Sequence, residues 1–386
     1  MMLLLKSSDL DRQKGKEMDI KQIDKNFDTS FTPPEDLEWF SVLEQPFSVH
    51  GIFYSEEEGL FRRLPKDIAD ATNEGVSYLS KNTAGGRIRF ATDSPYIAVR
   101  VSEPFEKPFP HLTIAGKCGV TLFMNKQYEG TIMPSYDQIS SADEAYGGNG
   151  TVAFDGLKRP YSADGSVYQA ELFMPLYSAV TEMYIGLKKG CLLKEAAPYR
   201  HTTPVLFYGS SITQGGCASK PGDDYINRLS RMLDTDIINL GFSGSARAED
   251  VMIEYIADQS PSVFVLDYDH NAPNAEHLKK THFALYETVR RKNPDTPIII
   301  MTMPAIEERE SRPWHKPRRD EILRSFERAR ADGDQNVYLI DCYGCFGALE
   351  NGECGTVDGT HPDSLGFLRM TERVYPILDK LLNGDK

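Results

Sequence analysis

The hydrophobic pattern of this chain changes period near Pro198, and that change limits the possible folds most sharply. Beyond it, residues 205–208, 236–240, 262–266, 297–301 and 336–340 are apolar runs. Runs of this kind fit parallel strands covered on both faces. Helical patterns lie between them. Ile226, Leu229, Met232 and Leu233 share one helix face, followed by Val251, Ile253, Tyr255 and Ile256 on a second. Leu278, Phe283, Leu285 and Val289 mark a third, and Ile322, Leu323 and Phe326 a fourth. A last helix is expected from about 364 to 382. Strand and helix alternate five times, which predicts an open α/β sheet with helices on both faces. Ligands of such sheets bind beyond the carboxyl ends of the strands.

Before Pro198 the period is two. Ile97, Val99 and Val101 alternate as a half-buried strand should, and residues 86–92, 119–124, 166–174 and 183–187 read as further strands. Turn signals at 93–95, 147–150, 163–165 and 189–190 separate them. Many short strands with such punctuation predict a sandwich of antiparallel sheets. The expected division is a disordered tail over 1–28, a β-sandwich domain over 29–197 and an α/β domain over 198–386.

A chain of 386 residues is long enough for two such cores. It carries 57 acidic and 43 basic side chains, a formal charge of −14. That surface repels polyanions, so nucleic acid and anionic membrane are not expected partners, whereas a neutral small molecule meets no barrier. The apolar run Leu3 to Leu5 is too short for a signal-peptide core, and charged residues follow it. The expectation is a cytoplasmic protein starting at Met1 or Met18, unless an upstream signal is missing. Cys342-Tyr-Gly-Cys345 has C-x-x-C spacing with Cys354 nearby, but no second such pair accompanies it. Reduced core or loop thiols are expected there, with no metal and no cofactor. Oligomeric state leaves no mark in the sequence.

Polar clusters fall at the ends of the apolar runs. The first is Tyr208-Gly209-Ser210-Ser211-Ile212-Thr213-Gln214-Gly215. It lacks the Lys of a P-loop and the second Gly of a G-x-S-x-G elbow. Ser210, Ser211 and Thr213 fit helix caps as well as they fit a nucleophile. The second, Gly241-Phe-Ser243-Gly244-Ser245, is a near miss to the elbow and makes Ser243 a weak rival to Ser211. Its glycines let an N–H approach a ligand. The third, Asp267-Tyr-Asp-His270-Asn271-Ala-Pro, contains an amide able to donate to an oxyanion, and reads equally as a capped loop. His270 is read as a loop histidine. The last is Asp358-Gly-Thr-His361-Pro-Asp363. An Asp three residues before a His can hold one imidazole nitrogen and leave the other for a serine proton. Pro362 and Asp363 also suit a helix start.

Taken in order, these blocks resemble the SGNH, or GDSL-type, hydrolases. That family carries a Gly-Asp-Ser block, a Gly block, an Asn block and a final D-x-x-H. Here they correspond to Gly209-Ser210-Ser211, Gly244, Asn271 and Asp358…His361. The resemblance implies a flavodoxin-like catalytic domain with Ser211 as nucleophile, His361 as general base and then acid, and Asp358 as its orienter. It implies an oxyanion hole from the N–H groups of Ser211 and Gly244 and the Asn271 amide. Two departures point to a divergent subgroup: Ser210 replaces Asp, and Asp267-Tyr-Asp-His-Asn replaces Gly-x-Asn-Asp. Gly119-Val-Thr-Leu-Phe123 resembles the Gly-x-Asp-Leu-Tyr module of one subgroup, differing at Thr121 and Phe123. That resemblance implies a jelly-roll-like sandwich beside the active site.

The expected activity is serine-dependent hydrolysis of a carboxylic ester, with an acetylated or otherwise small acylated carbohydrate preferred as substrate. The alternatives are a lipase or lysophospholipase-type acylhydrolase, a degenerate carbohydrate-binding protein on the same fold, and a metal enzyme using Cys342, Cys345 and Cys354. Trp314 and Tyr225 are expected at the substrate pocket, though Trp314 fits a loop anchor equally well. Runs 56–58 (acidic) and 316–319 (basic) are read as solvated faces.

Overall fold

The computed structural model describes residues 23–24, 31–107, 109–146, 150–159, 165–304, 313–347 and 354–384. The expected tail, with Met18 and all but Ile23 and Asp24 of its 28 residues, lies outside them. So do residues 147–149 and 163–164 of two expected turns.

The first half contains β1 (Leu37–Ser41), β2 (Ser48–His50), β3 (Phe53–Ser55), β4 (Leu60–Arg62), helices α1 (Lys66–Thr72) and α2 (Glu74–Leu79), then β5 (Arg87–Thr92) and β6 (Ile97–Pro104). After these come α3 (Ile114–Cys118), β7 (Val120–Met124), β8 (Gln127–Ile132), α4 (Tyr136–Tyr146), β9 (Thr151–Lys158), β10 (Tyr168–Phe173), β11 (Glu182–Lys188) and β12 (Leu193–Lys194). They form two antiparallel sheets, ordered β1-β11-β6-β9 and β12-β5-β10-β7-β8, with β2 added to β5. The alternating residues behave as their period requires. Ile97, Val99, Val101 and Ile185 from one sheet meet Ile88, Phe90, Leu122 and Leu172 from the other in a single core. This is the expected sandwich.

The second half contains β13 (His201–Gly209), α5 (Ser211–Gln214), α6 (Tyr225–Leu233), β14 (Thr235–Gly241), α7 (Asp250–Ala257), β15 (Val263–Asp267), α8 (Ala275–Lys292), β16 (Ile298–Met301), α9 (His315–Ala331), β17 (Val337–Ile340) and α10 (Ser364–Asn383). The strands pair in parallel in the order β14-β13-β15-β16-β17. Numbered along the chain that order is 2-1-3-4-5, the flavodoxin-like arrangement, whose switch point lies between the first and third strands. One apolar layer packs on each face of the sheet, which is why its strands carry continuous apolar runs. No described helix is long and apolar enough to cross a membrane.

The halves are locked together. Helices α1 and α2 contribute Ala69, Val76 and Leu79 to the core of the α/β half, beside Ala246, Met252 and Ile253. Buried Arg63 donates to the carbonyls of Asn239 (3.1 Å) and Gly241 (2.6 Å) at the end of β14. Buried Arg87 pairs with Asp236. Phe123, from the Gly119–Phe123 block, lies 4.1 Å beneath the Arg231 guanidinium of α6.

Candidate active site

The turn from β13 into α5 is tight because Gly209 permits it. A Cβ at Gly209 would stand 2.0 Å from Thr213 Oγ1 and 2.4 Å from the Asp267 carbonyl oxygen. Ser210 caps the helix: its hydroxyl accepts from Ile212 N–H at 3.1 Å, while Ser210 N–H donates to Thr213 Oγ1 at 3.1 Å. The capping reading therefore applies to Ser210 and Thr213, and Ser211 is left at the first helical position with its hydroxyl directed elsewhere. Thr213 Oγ1 in turn donates to Asp267 Oδ2 at 3.0 Å. The same oxygen accepts from Tyr225 Oη at 2.9 Å. Burial pushes the Asp267 carboxyl up to about 7, against the pull of these two donors.

Ser211 Oγ lies 3.0 Å from His361 Nε2, and His361 Nδ1 lies 2.7 Å from Asp358 Oδ2. Asp358 Oδ1 accepts the N–H groups of Thr360 (2.9 Å) and His361 (2.8 Å). Burial raises the Asp358 carboxyl, but those bonds and the imidazole outweigh it and hold the group at about 2. It is a carboxylate throughout the neutral range. The loop ends where Asp363 caps α10 through Leu365 N–H and Gly366 N–H. The helix-start and histidine-orienting readings of this block thus hold together.

The three expected oxyanion donors differ in what already holds them. Ser211 N–H, at the start of α5, and Gly244 N–H, in a loop where Gly244 adopts φ +67°, have no partner among the described residues. Asn271 Nδ2 donates to the Phe242 carbonyl at 2.7 Å, which fixes the amide and leaves its second hydrogen. Ser243 N–H is taken by Gln214 Oε1 at 3.1 Å. The Ser243 hydroxyl lies beside that of Tyr177, and no histidine nitrogen is within hydrogen-bond reach of it among the described residues. His270 is held neutral, its burial lowering it to about 4.

A cavity of about 300 Å³ opens over Ser243 and His361. Its opposite wall comes from the first half: Tyr78, Phe109, His111, Leu112 and Tyr177. None of these residues stood out in the sequence. His111 and Phe109 sit in a proline-rich loop without periodicity, so the run Pro108-Phe109-Pro110-His111 was the one available cue. Tyr177 Oη reaches the Ser211 carbonyl at 3.2 Å, and Cys217 lies buried just beyond α5. Burial, and then the Asp358 charge, push the Cys217 thiol up to about 12.

Two expected pocket residues are placed differently. Tyr225 is fully buried and its hydroxyl serves Asp267, so its ring packs edge-to-face with Phe207 and stacks with Phe367 rather than meeting a ligand. Trp314 is half exposed against the His315 ring and does not border the cavity. Cys342 and Cys345 are buried in the core, and Cys354 is exposed.

Comparison with known proteins places this arrangement. Residues 202–379 match the GDSL-like lipase/acylhydrolase family, and residues 37–193 match the GxDLY N-terminus of SGNH-hydrolase-type esterases. A solved chain from Bacteroides ovatus described as a GDSL-like lipase is 28% identical, with a TM-score of 0.77 over 90% of this chain and 98% of that one. The salicylyl-acyltransferase SsfX3 of a tetracycline biosynthetic pathway is 18% identical, with a TM-score of 0.69 over 92% and 100%. A family two carbohydrate esterase from Clostridium thermocellum, solved with cellohexaose, is 14% identical, with a TM-score of 0.56 over 79% and 94%. No individually curated protein matches the sequence. Residues 202–379 thus make up a GDSL-like lipase/acylhydrolase domain and residues 37–193 the GxDLY N-terminus of SGNH-hydrolase-type esterases, the combination of a carboxylic ester hydrolase.

Proposed function

We propose that this protein hydrolyses the ester of a small acyl group, borne on a carbohydrate or similarly small alcohol, through an acyl-enzyme on Ser211. One observation carries the reading: Asp358, His361 and Ser211 form a continuous line of contacts at 2.7 and 3.0 Å, beside a cavity. In this scheme His361 Nε2 takes the Ser211 proton as Oγ attacks the ester carbonyl. The N–H groups of Ser211 and Gly244 and the free hydrogen of the Asn271 amide stabilise the oxyanion. Asp358 stabilises the imidazolium, which then protonates the departing alkoxide. Water repeats the sequence to release the acid. The likeness to an esterase solved with cellohexaose, and the acidic surface, favour a neutral sugar ester. The aromatic wall of Tyr78 and Phe109, with room for more than an acetyl group, favours a longer or aryl acyl chain as the second reading.

Fluorophosphonate labelling and turnover of a series of acetyl, butyryl and long-acyl esters test both. Wild-type protein should label on Ser211, and Ser211→Ala should neither label nor turn over. Loss of one oxyanion donor in Asn271→Ala should slow a folded enzyme by roughly a hundred- to thousandfold. Undiminished hydrolysis by Ser211→Ala would overturn the proposal, and the acyl-length profile decides between the two readings.

A further inference from the structure

Serine chemistry uses one nitrogen of His361 and leaves its two neighbours idle. His111, from the loop ahead of α3, and Cys217, three residues past α5, each bring a ligand atom to the same spot as His361. All three atoms lie within 4.8 Å of one another. The two imidazole rings are 5.5 Å apart, centre to centre. Two nitrogens and a sulfur form a donor set suited to Zn²⁺. Three protein ligands leave the fourth tetrahedral position open toward the cavity, as in accessible zinc sites.

The carboxylate that would orient one of these ligands is also in place. Asp358 holds His361 Nδ1, so the nitrogen left for a metal is Nε2, the one that faces Ser211. A carboxylate on the far nitrogen fixes the tautomer of a metal-ligating histidine and raises its basicity. The pairing that would make His361 a base therefore also makes it a good ligand. Tetrahedral coordination asks the donor atoms to approach to roughly 3.5 Å of one another. His111 is exposed on its loop and can move toward the other two donors.

We propose that His111, Cys217 and His361 bind a soft divalent cation of the Zn²⁺ kind, and that its binding switches the esterase off. The cation takes the His361 Nε2 lone pair that Ser211 needs, and the Cys217 thiol releases its proton to solvent on coordination. The inhibitory half rests on the serine mechanism proposed above; the binding half does not.

Calorimetric titration of the metal-free full chain with Zn²⁺, and absorption after Co²⁺ addition, test the site without any substrate. One Zn²⁺ equivalent should bind, and Co²⁺ should give a thiolate-to-metal charge-transfer band that Cys217→Ala removes. His111→Ala, on an exposed loop that tolerates change, and Cys217→Ala should each weaken Zn²⁺ at least about tenfold, since even outer partners of a metal site cost that much. Ser211→Ala should bind as wild type does. Zn²⁺ should block fluorophosphonate labelling at the concentration that fills the site, and chelator should restore it. Absence of binding, or equal affinity in the His111 and Cys217 variants, overturns the site. Binding with undiminished labelling overturns the inhibition. Absence of labelling before metal is added counts against the serine mechanism instead, and leaves the calorimetry to decide the site.

Discussion

Carboxylates near the serine are driven in opposite directions by their surroundings. Asp358 collects two backbone N–H bonds and an imidazole and stays ionised. Asp267 is buried with two hydroxyl donors, and Asp269 is pushed up to about 8 by burial and then by Asp267. An unfolded aspartate titrates at about 3.9. Between about pH 4 and pH 7 the folded chain therefore keeps a proton on Asp267 that the unfolded chain has released. Fewer protons bound on unfolding means stability falls as pH rises through that window, by up to a few kcal/mol. Asp267→Asn keeps an acceptor oxygen and removes the titration. The melting temperature of wild type should thus drop relative to Asp267→Asn between pH 4 and 8, and parallel pH profiles would refute the shift. Sequence reading reached the Asp267–Asn271 block and the Asp358…His361 spacing, because both depend on neighbours a few residues away. It misplaced Tyr225 because nothing local says that its hydroxyl meets a carboxyl 42 residues on.

The element that carries Ser211 is a strand-to-helix turn held by an exact lack of space at Gly209. Gly209→Ala would drive a methyl into Thr213 and the Asp267 backbone, and neither can retreat without breaking the Ser210–Thr213–Asp267 chain of bonds. Overpacking of this kind typically costs about 1–3 kcal/mol, and occasionally more. Thermal unfolding of Gly209→Ala should begin several degrees lower, with fluorophosphonate labelling lost in the fraction still folded; full labelling would mean the turn adapts. Elements of the α/β half were legible because each buries a long apolar run or stripe: the five runs became β13 to β17, and the five stripes became α6 to α10. In the first half β5, β6, β7, β10 and β11 were legible by alternation. Strands β2, β3 and β4, with three residues each, are too short to show a period. Helices α1 and α2 escaped notice for another reason. Their apolar residues face the core of the other half, so no nearby segment of sequence completes their pattern.

At the scale of the whole molecule, the sandwich is a structural part of the site rather than an appendage. It supplies one wall of the cavity and, through Arg63, the support beneath the Gly244 loop. The Arg63 guanidinium donates to four carbonyls: Asn82 (2.7 Å) and Leu79 (2.7 Å) on its own side, Asn239 and Gly241 across the interface. It also lies 4.8 Å above the Phe242 ring. Burial lowers it to about 9, so it stays charged at neutral pH and each bond is charge-assisted. Arg63→Met would fill similar space yet leave four carbonyls without that donor. Stranding buried polar groups costs about 1–3 kcal/mol apiece where no water replaces the partner, so the variant should melt several degrees lower. The site should respond as well, because Gly241 and Phe242 lead directly into Ser243 and Gly244, and the Phe242 carbonyl orients the Asn271 amide. In kinetic terms Arg63→Met should lower kcat more than it raises KM, since an oxyanion hole acts mainly in the transition state. A melting shift with unchanged kcat would show that the β module braces the fold without positioning the oxyanion loop.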